Sequence, residues 1–545
     1  MDPRLRHLGK LELRPCQAYV AQGAWGQIPI WARVRETARL TPCKPAVVDV
    51  DGAWTYDDLW REALRYAGSM TASGLEPRDI ALVQLPNWRE FVALSIACEV
   101  TRVVFAFCPI QWGLRETSKA LALIQPRAWF TTSRPRAGDD RSELIRAATR
   151  SSESKPQLVL LRSDALSEGR MPADWLAMAP LDPASEGREG GRGLDPLEIA
   201  VTSGSTGEPK GVLHVHDSAL ATVGSTIKRQ GITNADVIHL AIPVGHTFGY
   251  FYGVRCSLQA CGTLVLQDRW DAEAMLGLVR AHAVSVSLGP SAFILDMLAL
   301  PPEKLAALKT LRLFTHSGDS LPAPTARRAQ STLPFRISRA LGMTEFGHTT
   351  ATDADTPADR AIDSVGTVQP EMELKIVDAD GRILAANNEG RILVRGPFVF
   401  AGYLTPDRLN DDVLDSDGFF DTADLGLLDD GRYLHITGRL KNVIRRGAET
   451  IPVSFLEDVI SAMPQVAHVV VVGMPDQRFG ETPVACVQLR ANAMLSYAEL
   501  AAEFRAQGVT KKFWPVRIEL INAWPIGPTG KIDRRMIVQE LSARI

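Results

Sequence analysis

The sequence has few cysteines, no long apolar run and no excess of charge of either sign. Its seven cysteines are scattered over 545 residues without a CxxC pair, which argues against a disulfide framework or a zinc site. A net charge of −3 provides no basic excess for nucleic acid or an anionic membrane. Apolar runs such as residues 91–97 are too short to cross a bilayer, and the first residues lack a signal-peptide core. We therefore predict a cytoplasmic protein that binds neither nucleic acid nor membrane.

What the sequence does contain is typical of a globular α/β protein. The hydrophobic fraction is 46% and the charged fraction 23%. A chain of 545 residues is too long for one core, so we expect at least two domains. Strand and helix patterns alternate up to about residue 200, with a strand predicted at 79–85, a helix at 87–100 and a strand at 103–107. This alternation predicts a largely parallel α/β sheet.

Residues 198–216 have the sequence EIAVTSGSTGEPKGVLHVH. An apolar strand here gives way to small residues, namely Thr202, Ser203, Gly204, Ser205, Thr206 and Gly207. Such a loop can surround phosphate oxygens with backbone N–H groups and hydroxyls, and Lys210 adds a positive charge. It is not a Walker A loop, because Pro209 precedes the lysine and Gly211 follows it. We interpret it as a phosphate-binding loop rather than a flexible Gly/Ser turn.

The stretch TSGSTGEPKG resembles the phosphate loop of the AMP-forming adenylating enzymes, which include acyl-CoA synthetases, aryl acid ligases, peptide-synthetase adenylation domains and firefly-type luciferases. Further blocks are similar to motifs of that family and occur in its order: RALGMTEFG at 339–347, GFFDTADLG at 418–426 and WPIGPTGKIDR at 524–534. The resemblance covers nearly the whole chain. Its tail, and VLQDRWD at 265–271, look most like cyclohexanecarboxylate/benzoate-type CoA ligases.

The resemblance implies an α/β fold with two domains. Residues 1–438 would form a large N-terminal domain of layered, mostly parallel sheets and helices. Residues 439–545 would form a small, mobile α+β lid that rotates at a hinge near Lys441. Within the lid, residue patterns predict a helix at 453–463, a strand at 466–472, a turn at 474–476, a strand at 482–489 and a helix at 497–507.

The resemblance also implies ATP and Mg²⁺ as cofactors and assigns roles to residues. Thr344 would hydrogen-bond the α-phosphate, and Glu345 would bind Mg²⁺ through its carboxylate oxygens. Lys531 would be the catalytic lysine brought by the lid, while Asp424 and Arg439 would bind the ribose. The other nucleotide contacts would come from Thr202–Gly207 and Lys210, already named, and from Ser317, Gly318, Asp319, Leu341, Gly342 and Met343.

The acid would bind beside residues 240–252, LAIPVGHTFGYFY. His246 matches a gating aromatic or histidine that the family carries between the acyl pocket and the thiol entrance, and it would also take part in catalysis. Peptide-synthetase domains that bind amino acids place an aspartate here, whereas His246–Gly249 contains no carboxylate. We therefore predict a small apolar, aromatic or alicyclic acid without an α-amino group. The pocket residues would be His246, Phe248, Gly249, Gly318 and Gly342.

The second substrate is less defined by the resemblance, which implies coenzyme A or the phosphopantetheine of an acyl carrier protein. Gly447 and Ala448 would line the thiol tunnel. Three residues depart from the family pattern: Leu341 replaces an aromatic that stacks on adenine, and Ala423 and Ala448 replace glycines. A non-thiol acceptor therefore stays open: either an amine accepts the acyl group, or nitrite is adenylated instead of a carboxylate and is passed to an aryl amine for diazotisation. The alternative that this protein is a non-catalytic, nucleotide-binding relative of the family also stays open. We expect a monomer or homodimer.

Overall fold

A computed structural model of the chain describes residues 16–162, 190–203, 209–319, 321–405, 408–410, 413–439, 443–446, 449–476, 480–509, 511–527 and 532–544.

The strands, in chain order, are β1 (Pro45–Asp49), β2 (Gly52–Thr55), β3 (Ile80–Val83), β4 (Val104–Phe107), β5 (Ala128–Thr131), β6 (Gln157–Leu160), β7 (Pro196–Ser203), β8 (Pro209–Val215), β9 (Val237–Leu240), β10 (Thr263–Leu266), β11 (Val286–Gly289), β12 (Leu313–Ser317), β13 (Arg336–Ala340), β14 (Gly342–Met343), β15 (Gly347–His348), β16 (Thr350–Ala351), β17 (Thr367–Val368), β18 (Glu373–Val377), β19 (Gly390–Arg395), β20 (Gly402–Leu404), β21 (Leu409–Asn410), β22 (Phe420–Leu428), β23 (Leu434–Arg439), β24 (Val443–Arg446), β25 (Glu449–Pro452), β26 (Val466–Asp476), β27 (Gly480–Leu489) and β28 (Ile518–Leu520).

The α-helices are α1 (Cys16–Ala21), α2 (Ile30–Leu40), α3 (Tyr56–Ala72), α4 (Arg89–Thr101), α5 (Leu114–Ile124), α6 (Ser142–Ser151), α7 (His216–Gln230), α8 (Thr247–Gly249), α9 (Cys256–Gln259), α10 (Ala272–His282), α11 (Ser291–Leu298), α12 (Pro302–Leu305), α13 (Ala323–Thr332), α14 (Ala358–Asp363), α15 (Val453–Ser461), α16 (Tyr497–Ala506) and α17 (Arg534–Ser542). A π-helical turn, Tyr250–Arg255, joins α8 to α9, and 3₁₀ turns lie at Ala306–Leu308 and Lys511–Phe513.

Two large sheets, flanked by helices, make up most of the fold. One has eight strands in the order β21-β20-β8-β7-β4-β3-β5-β6, and the other has seven in the order β13-β12-β11-β9-β10-β1-β2. In the first sheet, the pairs β7-β4, β4-β3, β3-β5 and β5-β6 are parallel, as the alternating pattern predicts, whereas β8 pairs antiparallel with both β7 and β20. The α/β fold class is therefore confirmed, with a mixed rather than wholly parallel first sheet.

Local sequence signals account for the helix that follows β2. Thr55 accepts a hydrogen bond from the backbone N–H of Asp58, and the Asp58 carboxylate accepts one from the backbone N–H of Thr55. This reciprocal capping box satisfies N–H groups that a helix start otherwise leaves unpaired. The apolar face of α3 then buries Leu59, Ala63 and Met70. Cap and periodicity together fix where α3 begins and which face it buries.

The part of the chain after residue 443 has its own core. A sheet of β25, β24, β27 and β26, with β28 beside β27, packs against α15 and α16 around residues such as Leu456 and Phe504. A turn was predicted at 474–476, and this prediction is wrong because β26 continues to Asp476, which pairs with Gly480. Pro475 is tolerated near the end of this ladder, where a missing backbone donor matters least.

None of the helices in the described ranges combines the length and apolarity that a membrane span requires.

Candidate active site

The candidate phosphate loop leaves and re-enters one antiparallel hairpin of the eight-stranded sheet. Thr202 pairs with Lys210 and Ser203 with Pro209, so β7 and β8 flank the loop at its base. Gly204, Ser205, Thr206 and Gly207 lie outside the described residues. The hairpin places the backbone of Lys210 directly opposite Thr202, and the lysine is exposed to solvent.

The predicted signature forms a second, shorter hairpin. Gly342 pairs with His348 and Met343 with Gly347, which leaves Thr344 and Glu345 in the connecting turn. Glycine is required at position 342, because a Cβ atom there would lie 2.5 Å from the ring of His348. The close approach of these two short strands thus projects Thr344 and Glu345 from a narrow turn.

A buried histidine joins the two hairpins. His214 Nε2 donates a hydrogen bond of 2.7 Å to the carbonyl oxygen of Thr344, and its Nδ1 lies 3.2 Å from Ser218 Oγ. Burial lowers the pKa of His214 to about 4, although the bond to Thr344 opposes that shift. The ring is therefore neutral at pH 7, and it can serve as a fixed donor to the Thr344 backbone.

Glu345 is connected to a third segment, which includes β20. The backbone N–H of Phe400 donates a 2.8 Å bond to the Glu345 carbonyl, and Tyr403 Oη donates a 2.7 Å bond to Glu345 Oε1. The Lys210 ammonium lies 4.6 Å from the centre of the Tyr403 ring. Lys210, Thr344 and Glu345, which were predicted to act on the phosphates and their Mg²⁺, therefore belong to one connected arrangement.

The predicted acyl-pocket segment reaches the same place. Thr344 Oγ1 donates a 3.1 Å hydrogen bond to Thr247 Oγ1. The neighbouring His246 caps α8, because its Nδ1 accepts a 3.2 Å bond from the backbone N–H of Phe248. Phe248 is buried, and its ring centre is 5.8 Å from that of His348. His246, Phe248 and Gly249 thus belong to or adjoin the short helix α8, whose Thr247 contacts Thr344, and Phe248 packs among buried aromatic rings.

The turn of Ser317, Gly318 and Asp319, which was predicted to contact the nucleotide, follows β12. Ser317 Oγ donates to the Ala340 carbonyl at 3.2 Å, which holds this turn beside the buried Leu341. Gly318 has a φ of +93°, a left-handed conformation that glycine adopts without strain. The Asp319 carboxylate accepts bonds from the Ser291 hydroxyl at 2.6 Å and from His316 at 2.9 Å. Asp319 therefore links the turn to the start of α11 and to β12.

The predicted ribose residues face each other across a strand pair. Asp424 on β22 pairs with Arg439 on β23, and the guanidinium Nε donates to the carboxylate. Burial raises the pKa of Asp424 while the charge of Arg439 lowers it, and the net shift is upward. Ala423, just before Asp424, has a φ of +57°, which is a left-handed conformation at a non-glycine residue. The glycine that the family carries here would relieve this conformation.

Besides the four loop residues named above, four further predicted residues are not described by the structure. Lys531, the hinge residue Lys441 and the tunnel residues Gly447 and Ala448 lie outside the described residues. Their roles remain predictions.

Three residues that were not predicted connect the predicted residues to one another, namely His214, Thr247 and Tyr403. His214 occupies an inward position of a strand, where a polar residue signals a specific partner. Thr247 directly follows the predicted gating histidine. Tyr403 is far from the other motifs in sequence, and no local pattern links it to them.

Glu345 suits the Mg²⁺ that ATP-dependent chemistry needs. Its carboxylate is a hard oxygen ligand, and its Oε2 makes no hydrogen bond to the described residues. Within the described ranges, no three His, Cys, Asp or Glu side chains are grouped as a metal site. Mg²⁺ is commonly held by one or two carboxylates together with the phosphates of a substrate, an arrangement that Glu345 could complete.

Comparison with known proteins agrees with this geometry. The family models described as AMP-binding enzyme and AMP-binding enzyme C-terminal domain match residues 34–404 and 456–531. The medium-chain fatty-acid–CoA ligase of Escherichia coli K12 is 30% identical over 541 residues, covering 97% of this chain and 93% of the relative. The salicyl-AMP ligase/salicyl-S-ArCP synthetase of Mycobacterium tuberculosis is 29% identical, covering 96% and 93% respectively.

Among solved structures, ATP-bound MatB from Rhodopseudomonas palustris superposes with a TM-score of 0.82 at 25% identity, covering 94% of this chain and 98% of that chain. The family model and the full-length relatives together match both the large and the small part of the chain. The chain belongs to the AMP-binding enzyme family, whose members activate acids with ATP.

Proposed function

We propose that this protein is an AMP-forming ligase that adenylates a small apolar, aromatic or alicyclic carboxylic acid and transfers the acyl group to a thiol. The thiol would be that of coenzyme A or of a carrier-protein phosphopantetheine. The observation that carries the proposal is the connected arrangement of Lys210, Thr344 and Glu345 beside the His246–Gly249 segment. It brings groups suited to a triphosphate next to buried apolar and aromatic side chains.

Two transfers would make up the reaction. A carboxylate oxygen bonds to the α-phosphorus of ATP, and the bond from that phosphorus to pyrophosphate breaks. The thiol sulfur then bonds to the acyl carbon, AMP leaves, and the thiol proton is released. Lys210 and Lys531 would stabilise the negative charge that develops on the phosphate oxygens in the transition state. Thr344 would donate a hydrogen bond to the α-phosphate. Mg²⁺ held by Glu345 would neutralise further phosphate charge.

The character of the acid is inferred from the surface beside the Thr344 turn. Phe248, Tyr252 and His348 are buried there, and the Tyr252 and His348 rings stack at 3.6 Å. Burial lowers the pKa of His348 to about 3, so its ring is uncharged at pH 7. Within His246–Gly249 there is no carboxylate to hold an α-amine. These properties favour an acid with an uncharged, apolar body.

A screen of pyrophosphate release tests the proposal. Aryl, alicyclic and fatty acids, amino acids and nitrite are supplied with ATP and Mg²⁺, first without an acceptor and then with CoA, a phosphopantetheinylated carrier or an amine. We expect release with apolar acids and turnover with a thiol. A preference for amino acids, or activity only with nitrite, would overturn the proposed substrate. A product formed only with an amine would overturn the proposed thiol acceptor. Failure to release pyrophosphate with any acid would favour a non-catalytic relative.

A substitution of Lys531 tests the proposed mechanism. Replacing Lys531 with alanine should lower the adenylation rate by about two orders of magnitude or more, since one such electrostatic contact contributes roughly 2–4 kcal/mol to the barrier. The melting temperature should not change. An unchanged rate of pyrophosphate release in Lys531→Ala would remove this residue from the mechanism.

A further inference from the structure

Tyr403 lies between the two charged groups of the candidate site. It is on β20, which runs antiparallel to β8 and pairs Tyr403 with Val212, two residues beyond Lys210. Its hydroxyl bonds to Glu345 Oε1 at 2.7 Å, and its ring lies 4.6 Å from the Lys210 ammonium. One side chain thus contacts both the cation and the anion.

Glu345 is restrained at its backbone as well as its side chain. The Phe400 N–H bonds to its carbonyl oxygen at 2.8 Å, and Phe400 also packs edge-on against the Tyr403 ring, 4.8 Å between centres. The hydroxyl of Tyr403 occupies only Oε1. The second oxygen, Oε2, accepts no hydrogen bond from the described residues, and the bond to the first oxygen restricts rotation of the carboxylate.

The Tyr403 side chain contacts Lys210 and Glu345 separately. In the described residues the two charged groups form no ion pair within 4.0 Å, although both contact Tyr403. A direct pair would neutralise the two groups and would have to break before either could act on a phosphate. Attraction of the ammonium to the aromatic face holds Lys210 without removing its charge.

We infer that Tyr403 is a positioning residue, which orients Glu345 for the Mg²⁺ of MgATP through its hydroxyl and holds Lys210 for the phosphates through its ring. This inference rests on the proposed function. Outer partners of a metal-binding carboxylate fix its orientation, and their loss typically lowers metal affinity by about 10- to 100-fold. The two functions of Tyr403 can be separated, because phenylalanine removes the hydroxyl and keeps the ring.

The test measures equilibrium binding of α,β-methylene-ATP by calorimetry at a series of Mg²⁺ concentrations. In Tyr403→Phe, the Mg²⁺ concentration needed for half of the affinity gain should rise by about tenfold or more, with Mg²⁺-free binding unchanged. In Tyr403→Leu, Mg²⁺-free binding should also fall by about two- to fivefold, since the Lys210–ring contact is lost. Tyr497→Phe, which removes a 2.9 Å bond to the Pro515 carbonyl in the small domain, is the matched control and should match the wild type.

A double-variant comparison shows whether Tyr403 acts through Glu345. Glu345→Gln should weaken the Mg²⁺ dependence, and adding Tyr403→Phe to it should have no further effect. Wild-type behaviour of Tyr403→Phe, or a full additional loss in the Glu345→Gln background, would overturn the inference. If Glu345→Gln itself keeps the wild-type Mg²⁺ dependence, the metal role of Glu345 in the proposed function fails instead.

Discussion

Ala423 shows how a single residue can carry strain in a candidate site. It lies in an irregular part of β22, where the pairing with β19 shifts register and its φ is +57°. A left-handed conformation costs a non-glycine residue roughly 1–2 kcal/mol. The neighbouring Asp424 is buried and faces Arg439, so the irregularity helps to set the position of that carboxylate.

Replacing Ala423 with glycine should therefore stabilise the protein. Part of this gain is offset, because glycine loses more conformational entropy on folding than alanine does, at a cost of roughly 0.5–1 kcal/mol. We expect a net gain of about 0.5–1 kcal/mol in the free energy of unfolding, measured with urea. The exposed Ala386, which has no positive φ, is the control, and its change to glycine should destabilise. Loss of stability in Ala423→Gly would show that the alanine conformation is unstrained.

His239 predicts a pH dependence of stability. It is fully buried on β9, where Nε2 donates a 2.8 Å bond to Gln267 Oε1 and Nδ1 lies 2.9 Å from Ser287 Oγ. Burial lowers its pKa from 6.5 to about 4, although the bond to Gln267 opposes that shift. Below pH 6.5 the unfolded chain takes up a proton that the folded ring resists. The stability that this histidine contributes is thus present above pH 6.5 and is lost as the pH falls toward 4.

The variant His239→Gln removes this proton uptake. Relative to the wild type, its free energy of unfolding should therefore improve by about 2 kcal/mol when the pH is lowered from about 7.5 to about 5.0. Urea unfolding at the two pH values measures the difference. Parallel pH curves for the two proteins would mean that the folded ring accepts the proton readily.

At the scale of elements, residue patterns predicted local structure well. A strand was predicted at 79–85 and found at Ile80–Val83, and a helix predicted at 87–100 is Arg89–Thr101. Strand β4, Val104–Phe107, lies within the predicted 103–107. These elements are recognisable because β-branched and aromatic runs, helical periodicity and caps act over a few neighbouring residues.

Partners distant in sequence were not predictable in the same way. The pairing of β20 with β8 joins Tyr403 to Val212, and the His214–Thr344 bond spans 130 residues. Hydrophobic periodicity tells which face of a strand is buried but not which strand lies beside it. The family resemblance predicted residues that would contact the nucleotide, such as Thr344 and Glu345. It did not predict His214 or Tyr403, because these two contact the predicted residues.

At the scale of the whole molecule, the described core falls into separate parts. The main clusters involve buried residues up to Leu434, whereas those of the small part begin at Ile444. No cluster of buried apolar residues in the described ranges includes members from both parts. We propose that residues 1–438 and 439–545 are separate folding units, as the predicted lid requires.

Calorimetry of the intact chain tests this division. We expect two unfolding transitions, and Phe504→Ala should lower only that of the small unit, because Phe504 is fully buried in its core. Loss of a buried phenylalanine costs roughly 3–5 kcal/mol, enough to separate the two transitions clearly. A single cooperative transition that Phe504→Ala shifts as a whole would argue for one folding unit.

The place of β20 beside β8 has a consequence for biosynthesis. Gly402–Leu404 forms the sheet neighbour of β8, which ends at Val215, so the ribosome must add almost two hundred residues before that neighbour exists. Until then, the backbone of β8 on that side offers unpaired hydrogen-bonding groups to any other nascent strand. Slow or interrupted translation between these two segments should therefore favour aggregation, and chaperones that shield strand edges should improve the yield of native protein.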